Sequence, residues 1–284
     1  MQTESILEIP QEKSISSPKK SNKTLAFYDF KDGLIKWRIW FLLAYQDIRL
    51  RYRRSILGPF WLTLSMAITV YSMGFLYGHL FHIELKDYFP YLVAGMLAWS
   101  LISMSLNDLT DTFISYESLL KEIKLPYTLH IQRIAVRNML IFFHNMIVML
   151  PIYVLFHESA HLNVHTLFLL PCLFLIYINA VFFGLLLAMI AARYRDISQL
   201  IKNLIQVVFF ITPVMWNPSV LPANKLFFVW GNPIYPFVEM IRAPLLGNLP
   251  AFSIIATSLG ITVLTIIFSF IIFTRYRSRI IYWL

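Results

Sequence analysis

The chain has 284 residues, of which 58% are hydrophobic and only 14% are charged, and its formal net charge is +9. Soluble domains are about 45–50% apolar and about 25% charged, so this composition excludes a soluble globular protein and indicates an integral membrane protein. The Lys and Arg residues lie in short clusters between apolar runs, which argues against nucleic acid as a partner and for membrane lipids.

The N-terminal part of the chain precedes the first long apolar run. Residues 1–32 are polar and lack the apolar core of a signal peptide, so we expect a disordered cytoplasmic tail. Residues 33–54, which include "LIKWRIWFLLAYQDIRLRYRR", are too charged to cross a membrane and too apolar to be fully solvated. They predict an amphipathic helix in the membrane interface. Gly58-Pro59 then permits a turn into the first span.

The densest positive cluster of the chain ends this interfacial segment and consists of Arg49, Arg51, Arg53 and Arg54. These arginines fix the orientation of the chain and bind anionic lipid. A second interpretation is that some of them also bind a substrate diphosphate, which suits the bidentate guanidinium group. The sequence leaves both interpretations open.

Six windows are long and apolar enough to cross a bilayer core of about 30 Å, which takes about 20 residues in a helix. They are 55–83, 88–107, 138–157, 159–192, 200–216 and 243–274. Residues 55–284 therefore predict an all-α domain with six spans. Gly74 and Gly78, spaced as GxxxG, permit close packing of the first span against another helix.

The distribution of positive charge predicts the topology. With the N-terminus inside, only Lys86, Lys225 and Arg242 of the 24 Lys and Arg residues lie outside, and 21 lie in cytoplasmic segments. This asymmetry follows the positive-inside rule. We therefore expect a multi-pass protein with both termini in the cytoplasm.

The longest polar connection between two spans contains "YESLLKEIKLP" at residues 116–126. Ser115 as N-cap and Pro126 after the last turn predict a short cytoplasmic helix. An exposed apolar edge beside alternating charges suggests that the helix docks to a soluble partner, and a solvated loop is the alternative. The residues of this candidate contact are Tyr116, Glu117, Ser118, Leu119, Leu120, Lys121, Glu122, Lys124, Leu125 and Pro126.

Residues 213–250 contain seven of the fourteen prolines, and these divide the segment into apolar pieces too short to cross. Broken helices are tolerated at membrane depth only where protein or a cavity surrounds them. We expect two short re-entrant helices at 222–230 and 233–245, within a re-entrant segment at about 217–248. An apolar extracellular loop is the alternative.

Several kinds of chemistry are missing from the sequence. None of the nine glycines is followed by Lys, so the chain lacks a P-loop for nucleotide hydrolysis. No charged residue lies near the middle of a predicted span, which disfavours an ion-driven transporter. The single cysteine, Cys172, excludes an intrachain disulfide and a cysteine-based metal site. We expect no metal and no cofactor on this chain.

Two clusters of polar residues are candidate sites. Asp108 and Asp111 lie one helical turn apart near the inner end of the second span and are expected to be solvated helix-end charges. The loop at 156–166 holds Glu158 with three histidines, an arrangement that a membrane-embedded enzyme needs at the water interface. We expect a solvated loop there, with His157, His161 and His165 exposed.

Several stretches in fixed order carry a resemblance to a known family. They are "LAYQDIRLRYRRSILGPFWLTLSM", "PYLVAGMLAWSLISMSLND", "SYESLLKEIKLP", "ARYRDISQLIKNLIQVVFFITPVMW" and "NPIYPFVEMIRAPLLG". From about residue 37 to 282 the chain resembles the membrane subunit of ABC-type polysaccharide exporters, which move lipid-linked O-antigen, capsule and teichoic-acid chains.

The resemblance implies a half-transporter that works as a homodimer with two copies of a separate cytoplasmic ABC ATPase, where ATP and Mg bind. It implies a coupling helix at 116–126, an interfacial helix at 34–54 and an outer gate at 222–245. The implied substrate is an undecaprenyl-diphosphate-linked polysaccharide in a bacterial inner membrane. Our own hypothesis is that the four clustered arginines hold its diphosphate, with Arg193 and Arg195 as secondary candidates. The gate residues are Trp216, Trp230, Pro233, Tyr235, Pro236 and Glu239.

Two other functions fit the same sequence. One is an ABC exporter of a small lipid or drug, which shares the architecture. The other is a membrane-embedded enzyme such as a glycan-lipid transferase, which needs a catalytic carboxylate or histidine cluster in the outer loops.

Overall fold

The computed structural model describes residues 21–51, 53–58, 60–80 and 82–284, and all regular structure in these residues is helical. Three 3-10 turns, Met146–Val148, Val164–Phe168 and Arg277–Arg279, extend the long helices. The α-helices are α1 (Asn22–Ile35), α2 (Trp37–Arg51), α3 (Phe60–Leu80), α4 (Leu85–Thr110), α5 (Thr112–Ser115), α6 (Glu117–Glu122), α7 (Tyr127–Asn145), α8 (Met149–Leu155), α9 (Leu169–Arg193), α10 (Asp196–Ile211), α11 (Phe227–Trp230), α12 (Tyr235–Leu245), α13 (Phe252–Tyr276) and α14 (Ile280–Trp283).

Five helical stretches of the described chain are long and apolar enough to cross a membrane. They are Phe60–Leu80, Leu85–Thr110, Tyr127–Leu155, Val164–Arg193 and Phe252–Trp283. The prediction of an all-α membrane protein is confirmed. The predicted fifth span corresponds to α10, which has 16 residues and a length of about 24 Å, less than the apolar thickness of about 30 Å.

The helix α4 lies at the centre of the bundle and contacts α3, α7, α9, α10 and α12. Of its most apolar stretch 56% is buried, against 17% for the peripheral α3. Gly74 and Gly78 of α3 face Phe89 and Leu85 of α4, where a Cβ atom would clash with the opposing side chain. The close packing that the GxxxG spacing permits is therefore present between α3 and α4.

The N-terminal region differs from the predicted disordered tail. Residues 1–20 lie outside the described part of the chain, but Asn22–Ile35 forms the helix α1. This helix has a buried face of Ala26, Asp29 and Gly33 and packs on α7 and α13. The prediction of disorder is wrong for residues 22–32, because contacts with distant helices stabilise a segment whose own composition is polar.

The predicted interfacial segment at 33–54 is not one helix. The chain breaks at Lys36, and α2 then continues to Arg51. Arg53 and Arg54 follow in a turn. Gly58 has a positive φ of 56°, which fits the predicted turn because glycine adopts this conformation without steric cost. Pro59 lies outside the described residues.

The two segments singled out as functional are built from short helices. In the connection at 116–126 only Glu117–Glu122 is helical, and Tyr116 rather than Ser115 occupies the N-cap position. In the proline-rich segment the helices are α11 and α12, preceded by the 3-10 turns Pro218–Val220 and Ala223–Lys225.

Candidate functional site

A network of four charged side chains crosses one end of the bundle. We call this end, where α4, α9 and α13 finish, the basic end. Arg133 on α7 donates two hydrogen bonds to Asp47 on α2, with Nε–Oδ2 and Nη2–Oδ1 distances of 2.8 and 2.5 Å. Arg137, one turn along α7, donates from Nη2 to Asp108 Oδ2 at 2.6 Å and approaches Asp47 at 3.9 Å. Because the side chains are 10–28% exposed, this network ties α2, α4 and α7 together.

Tyr116 joins the network to the polar connection between α4 and α7. We call residues 111–126 the connecting segment. The Tyr116 hydroxyl donates to Asp47 Oδ2 at 3.4 Å, and the Arg133 guanidinium carbon lies 4.4 Å from the ring centroid. Burial raises the pKa of Tyr116, against the opposing effect of Arg133. The phenol therefore stays neutral and holds the start of α6 on the network.

The outer side of α6 carries an exposed ion pair. Glu117 accepts a hydrogen bond from Lys121 Nζ at 2.6 Å and lies 3.3 Å from Arg195 Nη2. The hydrogen bond from Lys121 lowers the pKa of Glu117, and the charge of Arg195 acts in the same direction. The Glu117 carboxylate is therefore ionised at neutral pH and connects α6 to the turn before α10.

Asp111 makes a second connection from this segment to α10. Lys202 Nζ lies 2.9 Å from Asp111 Oδ2, and the Ser198 hydroxyl donates to the same carboxylate. Asp108 pairs with Arg137. The prediction that Asp108 and Asp111 are solvated helix-end charges is therefore wrong, because both carboxylates bind cations on neighbouring helices.

The connecting segment has a buried and an exposed side. Leu120 and Pro126 are buried, whereas Ile123 is 48% exposed. Of the remaining candidate contact residues, Ser118, Lys121, Glu122 and Lys124 are exposed, and Tyr116, Glu117, Leu119 and Leu125 are half-buried. The segment therefore presents a small polar surface with one exposed apolar side chain, on a base fixed by ion pairs.

The clustered arginines at the end of α2 have a different environment. Arg49, Arg51, Arg53 and Arg54 are all exposed, and no carboxylate of the described residues lies within 4.0 Å of them. Their charges are therefore available to an external anion. Arg195 binds Glu117, while the Arg193 guanidinium lies over the rings of Tyr194 and Trp283.

A second polar cluster centres on Arg242 of α12, which is 1% exposed. Its Nη1 donates to Tyr91 at 2.7 Å and to Glu239 at 2.5 Å, and its Nη2 donates to the carbonyls of Pro213 and Val214 at 2.6 and 3.1 Å. A Cβ atom on Gly95 would lie 2.5 Å from Nη2. Gly95 is ten residues into α4, about 15 Å along the helix, so the guanidinium lies at the middle of the bundle.

The six predicted gate residues do not form one cluster. Glu239 binds Arg242, and Trp216 accepts a hydrogen bond from Tyr91 at its carbonyl at 3.1 Å. Tyr235 is half-buried and Pro236 is buried, whereas Trp230 and Pro233 are exposed. The structure therefore brings Glu239 and Trp216 together through Arg242 and Tyr91.

The histidine loop does not form a metal site. Within the described residues no three His, Cys, Asp or Glu side chains come together as metal ligands. His165 faces the carbonyl of Gly247 at 3.3 Å instead, and Asn163 donates to the same carbonyl at 2.7 Å. The loop therefore packs against the end of α12.

Sequence reasoning missed the residues with the most extensive polar contacts. Arg133 and Arg137 were counted only as charges that orient the chain, although their i, i+4 spacing places both on one face of a helix. Arg242 was counted as an outer charge. No local signal marks it, because its partners Tyr91 and Pro213 are 151 and 29 residues away.

The fold and the site define a class of protein. It is a multi-span helical membrane protein with a charged, braced segment at one end and no nucleotide-binding motif of its own. A family model described as ABC-2 type transporter matches residues 38–246. The chain belongs to this family of transporter membrane subunits.

Individual relatives are distant. The chain is 19% identical over 199 residues to the O-antigen export system permease protein RfbA of Klebsiella pneumoniae, covering 68% of this chain and 74% of the relative. It is 24% identical over 180 residues to a protein of the same name from Myxococcus xanthus, covering 63% of this chain and 68% of the relative. The resemblance drawn from the sequence is thus confirmed.

Proposed function

We propose that the chain is the transmembrane subunit of an ATP-driven exporter that moves a lipid-linked polysaccharide of the O-antigen kind across a bacterial inner membrane. The observation that carries this proposal is the likeness to permeases named for O-antigen export, over about two thirds of the chain. Family membership supports the transporter class. The absence of a P-loop implies that a separate chain binds ATP and Mg.

The connecting segment is the proposed contact with two copies of a cytoplasmic ABC ATPase, one on each protomer of a homodimer. Its exposed side offers Ile123 between charged residues to a soluble partner. Its other side is attached to Asp47 and Arg133 through Tyr116 and to Lys202 through Asp111. A displacement of α6 by the ATPase is therefore transmitted to α2, α7 and α10, because the segment is attached to these helices and is not a flexible loop.

In the proposed topology α10 is the fifth of six spans, and both termini lie in the cytoplasm. The helix α10 rises from the basic end, and the chain continues outward through Pro213 and Val214, which bind Arg242. The α11–α12 segment is then re-entrant. In support, Pro233 and Phe237 line a cavity of about 280 Å³ together with Ile102 and Asn179, which lie in the middle of α4 and α9.

The substrate enters at the basic end in this proposal. The exposed guanidinium groups of Arg49, Arg51, Arg53 and Arg54 suit a diphosphate, because each offers a planar pair of donors. The glycan would pass between the two protomers towards the re-entrant segment. The peripheral α3, whose outer face is largely exposed, is available for contact with a second copy or with lipid.

Affinity purification of the tagged chain in mild detergent, with mass spectrometry of what accompanies it, tests the proposal. We expect an ATPase with Walker motifs at about one copy per copy of this chain. The variant Ile123→Asp should lose the ATPase, because it places a charge in an apolar contact. Leu162→Asp, at an exposed leucine of the opposite end, is the matched control and should retain it. A chain that purifies alone would contradict a motor-driven mechanism.

A further inference from the structure

The helix α1 lies outside the part of the chain that the family model matches, which begins at residue 38. It is nevertheless firmly attached to the bundle. Ala26, Asp29 and Gly33 form its buried face, and a Cβ atom on Gly33 would clash with Thr128 of α7. The helix α1 therefore lies outside the matched region but packs closely against α7.

Asp29 is the main attachment of α1. Its fully buried carboxylate accepts hydrogen bonds from the backbone nitrogens of Tyr127 and Thr128 at 3.3 and 3.1 Å and from Thr128 Oγ1 at 2.9 Å. Arg277 donates to it at 2.8 and 2.9 Å. The N-cap position of α7 is Pro126, whose side chain makes no cap bond. Asp29 therefore supplies the missing cap of α7 from another helix.

Phe30 places α1 beside the membrane-spanning helices. Its ring centroid lies 5.3 Å from those of Phe182 on α9 and Phe273 on α13, and 6.2 Å from that of Phe270. All three partners belong to candidate spans. Hence α1 lies along the flank of the bundle at its basic end, at the level where a lipid leaflet meets water.

The outer face of α1 combines apolar and basic side chains. Phe27, Leu34 and Ile35 are 59, 58 and 63% exposed. Lys23 and Lys31 are exposed on the same helix, and Asp32 is the exposed acidic residue of α1, because Asp29 is paired with Arg277. Exposed apolar side chains with lysines around them are typical of a helix that binds the surface of an acidic membrane.

We propose that the outer face of α1 binds acidic phospholipid headgroups of the leaflet at the basic end, and that Asp29 transmits this binding to the first turn of α7. The bound lipid holds α1 in its seat, so the capped start of α7 and the adjoining connecting segment become more ordered. Lipid binding by α1 does not depend on the proposed function. Only one further consequence rests on that proposal, namely that a more ordered connecting segment would bind the ATPase.

Lipid-specific quenching tests the binding step with the full chain in vesicles. A bimane label on Leu34→Cys, in a Cys172→Ala background, is reconstituted in phosphatidylcholine and phosphatidylglycerol at 7:3, with bromine on the chains of one lipid at a time. We expect brominated phosphatidylglycerol to quench at least about twofold more per mole, since each lysine near the surface attracts anionic lipid. Lys23→Gln with Lys31→Gln should abolish this preference.

The matched control is Lys86→Gln with Lys225→Gln, which removes two exposed lysines from the opposite end and should keep the preference. Equal quenching by both lipids in the parent protein would overturn the acidic lipid as occupant. No quenching by either lipid would show that solvent or another protein covers α1, which also overturns it.

Amide hydrogen exchange tests the transmission step. Exchange at Tyr127 and Thr128, whose amides bind Asp29, should be slower in vesicles with phosphatidylglycerol than without it. In Asp29→Asn this difference should vanish while the quenching preference remains. Thr128→Val, which keeps the carboxylate and both amides, should retain the difference. Equal exchange at these amides in both kinds of vesicle for the parent protein would reject transmission from α1 to α7. If the parent protein purifies without an ATPase, only the proposed function is rejected.

Discussion

Arg242 is the largest side chain that the described part of the protein buries completely. Its contacts show how a charge is accommodated inside an apolar helix bundle. One guanidinium donates hydrogen bonds to a carboxylate, a phenol and two backbone carbonyls. A buried charge is costly unless it is paired; here both terminal nitrogens of the guanidinium are paired, whereas Nε has no partner among the described residues. The cluster therefore fixes the angle between α4, the end of α10 and α12.

Gly95 is the residue that makes room for this guanidinium. We expect Gly95→Ala to lower the free energy of unfolding by about 1–3 kcal/mol, because the added methyl overpacks the site. Thermal unfolding in detergent measures the effect. Gly260→Ala on α13 is the control, since nothing lies within 4 Å of a Cβ atom there, and it should be neutral or stabilising by up to about 1 kcal/mol. Equal effects at both glycines would contradict the assigned packing.

The bidentate pair of Asp47 and Arg133 should be energetically coupled. Asp47→Asn and Arg133→Gln should each destabilise the protein by about 3 kcal/mol or more, because each leaves a shielded partner unpaired. The double variant should lose less free energy of unfolding than the sum of the losses in the two single variants. Glu84→Gln and Lys86→Gln form the control cycle at an exposed pair, whose coupling should be much weaker because solvent screens it. Additive losses in the first cycle would show that the pair does not act as a unit.

At the scale of elements, the short helix α6 derives its fixed position from its neighbours. Six residues are too few to form a stable helix alone, yet Tyr116, Glu117 and Asp111 bind α2, α7 and α10 on either side. The end of α2 is the opposite case, since Arg53 and Arg54 are exposed. The helix α6 is thus held in place by its neighbours, whereas the arginines after α2 have no carboxylate partner among the described residues.

The arginines after α2 should be required for export. Arg53→Gln with Arg54→Gln should reduce surface glycan by about tenfold or more, since a charge-assisted hydrogen bond is worth about 1.5–3 kcal/mol and 1.4 kcal/mol is a factor of ten. Arg275→Gln with Arg279→Gln, which removes two exposed charges at the same end, should leave the glycan level near that of the parent. Normal glycan in the first variant, with the protein present at its usual amount, would exclude the substrate role.

At the scale of the whole molecule, the number of crossings depends on α10. Its 16 residues reach about 24 Å, and the chain then continues as short helices and turns held by Arg242. In the proposed topology a complete crossing would be shared between α10 and the residues that follow it. Irregular backbone is tolerated at membrane depth where surrounding helices, rather than lipid, satisfy it.

Cysteine labelling from each side of the membrane checks this crossing. In a Cys172→Ala background, Gln199→Cys should react with an impermeant maleimide only from the cytoplasm, and Asn224→Cys only from outside. Both positions are exposed. Asn163→Cys in the outer loop is the sidedness control. Labelling of Gln199→Cys and Asn224→Cys from the same side would reject α10 as the fifth span.

The sequence by itself determined the environment and the class of the protein. Long uncharged runs indicate a membrane because their apolar side chains are unfavourable in water. In the bilayer such runs form helices, because a helix satisfies its own backbone hydrogen bonds. The ordered motifs that include residues 43–66, 115–126 and 232–247 placed it in the right family. These are local properties, carried by neighbouring residues of the chain.

Only the tertiary structure decided which charges are paired and which are free. Asp29, Asp47 and Arg242 gain their roles from residues 98, 86 and 151 positions away, and no local pattern records such distances. For the same reason residues 22–32 are polar in composition but helical in the structure. A pairing energy depends on distance and shielding in space, and the packing of the helices sets both.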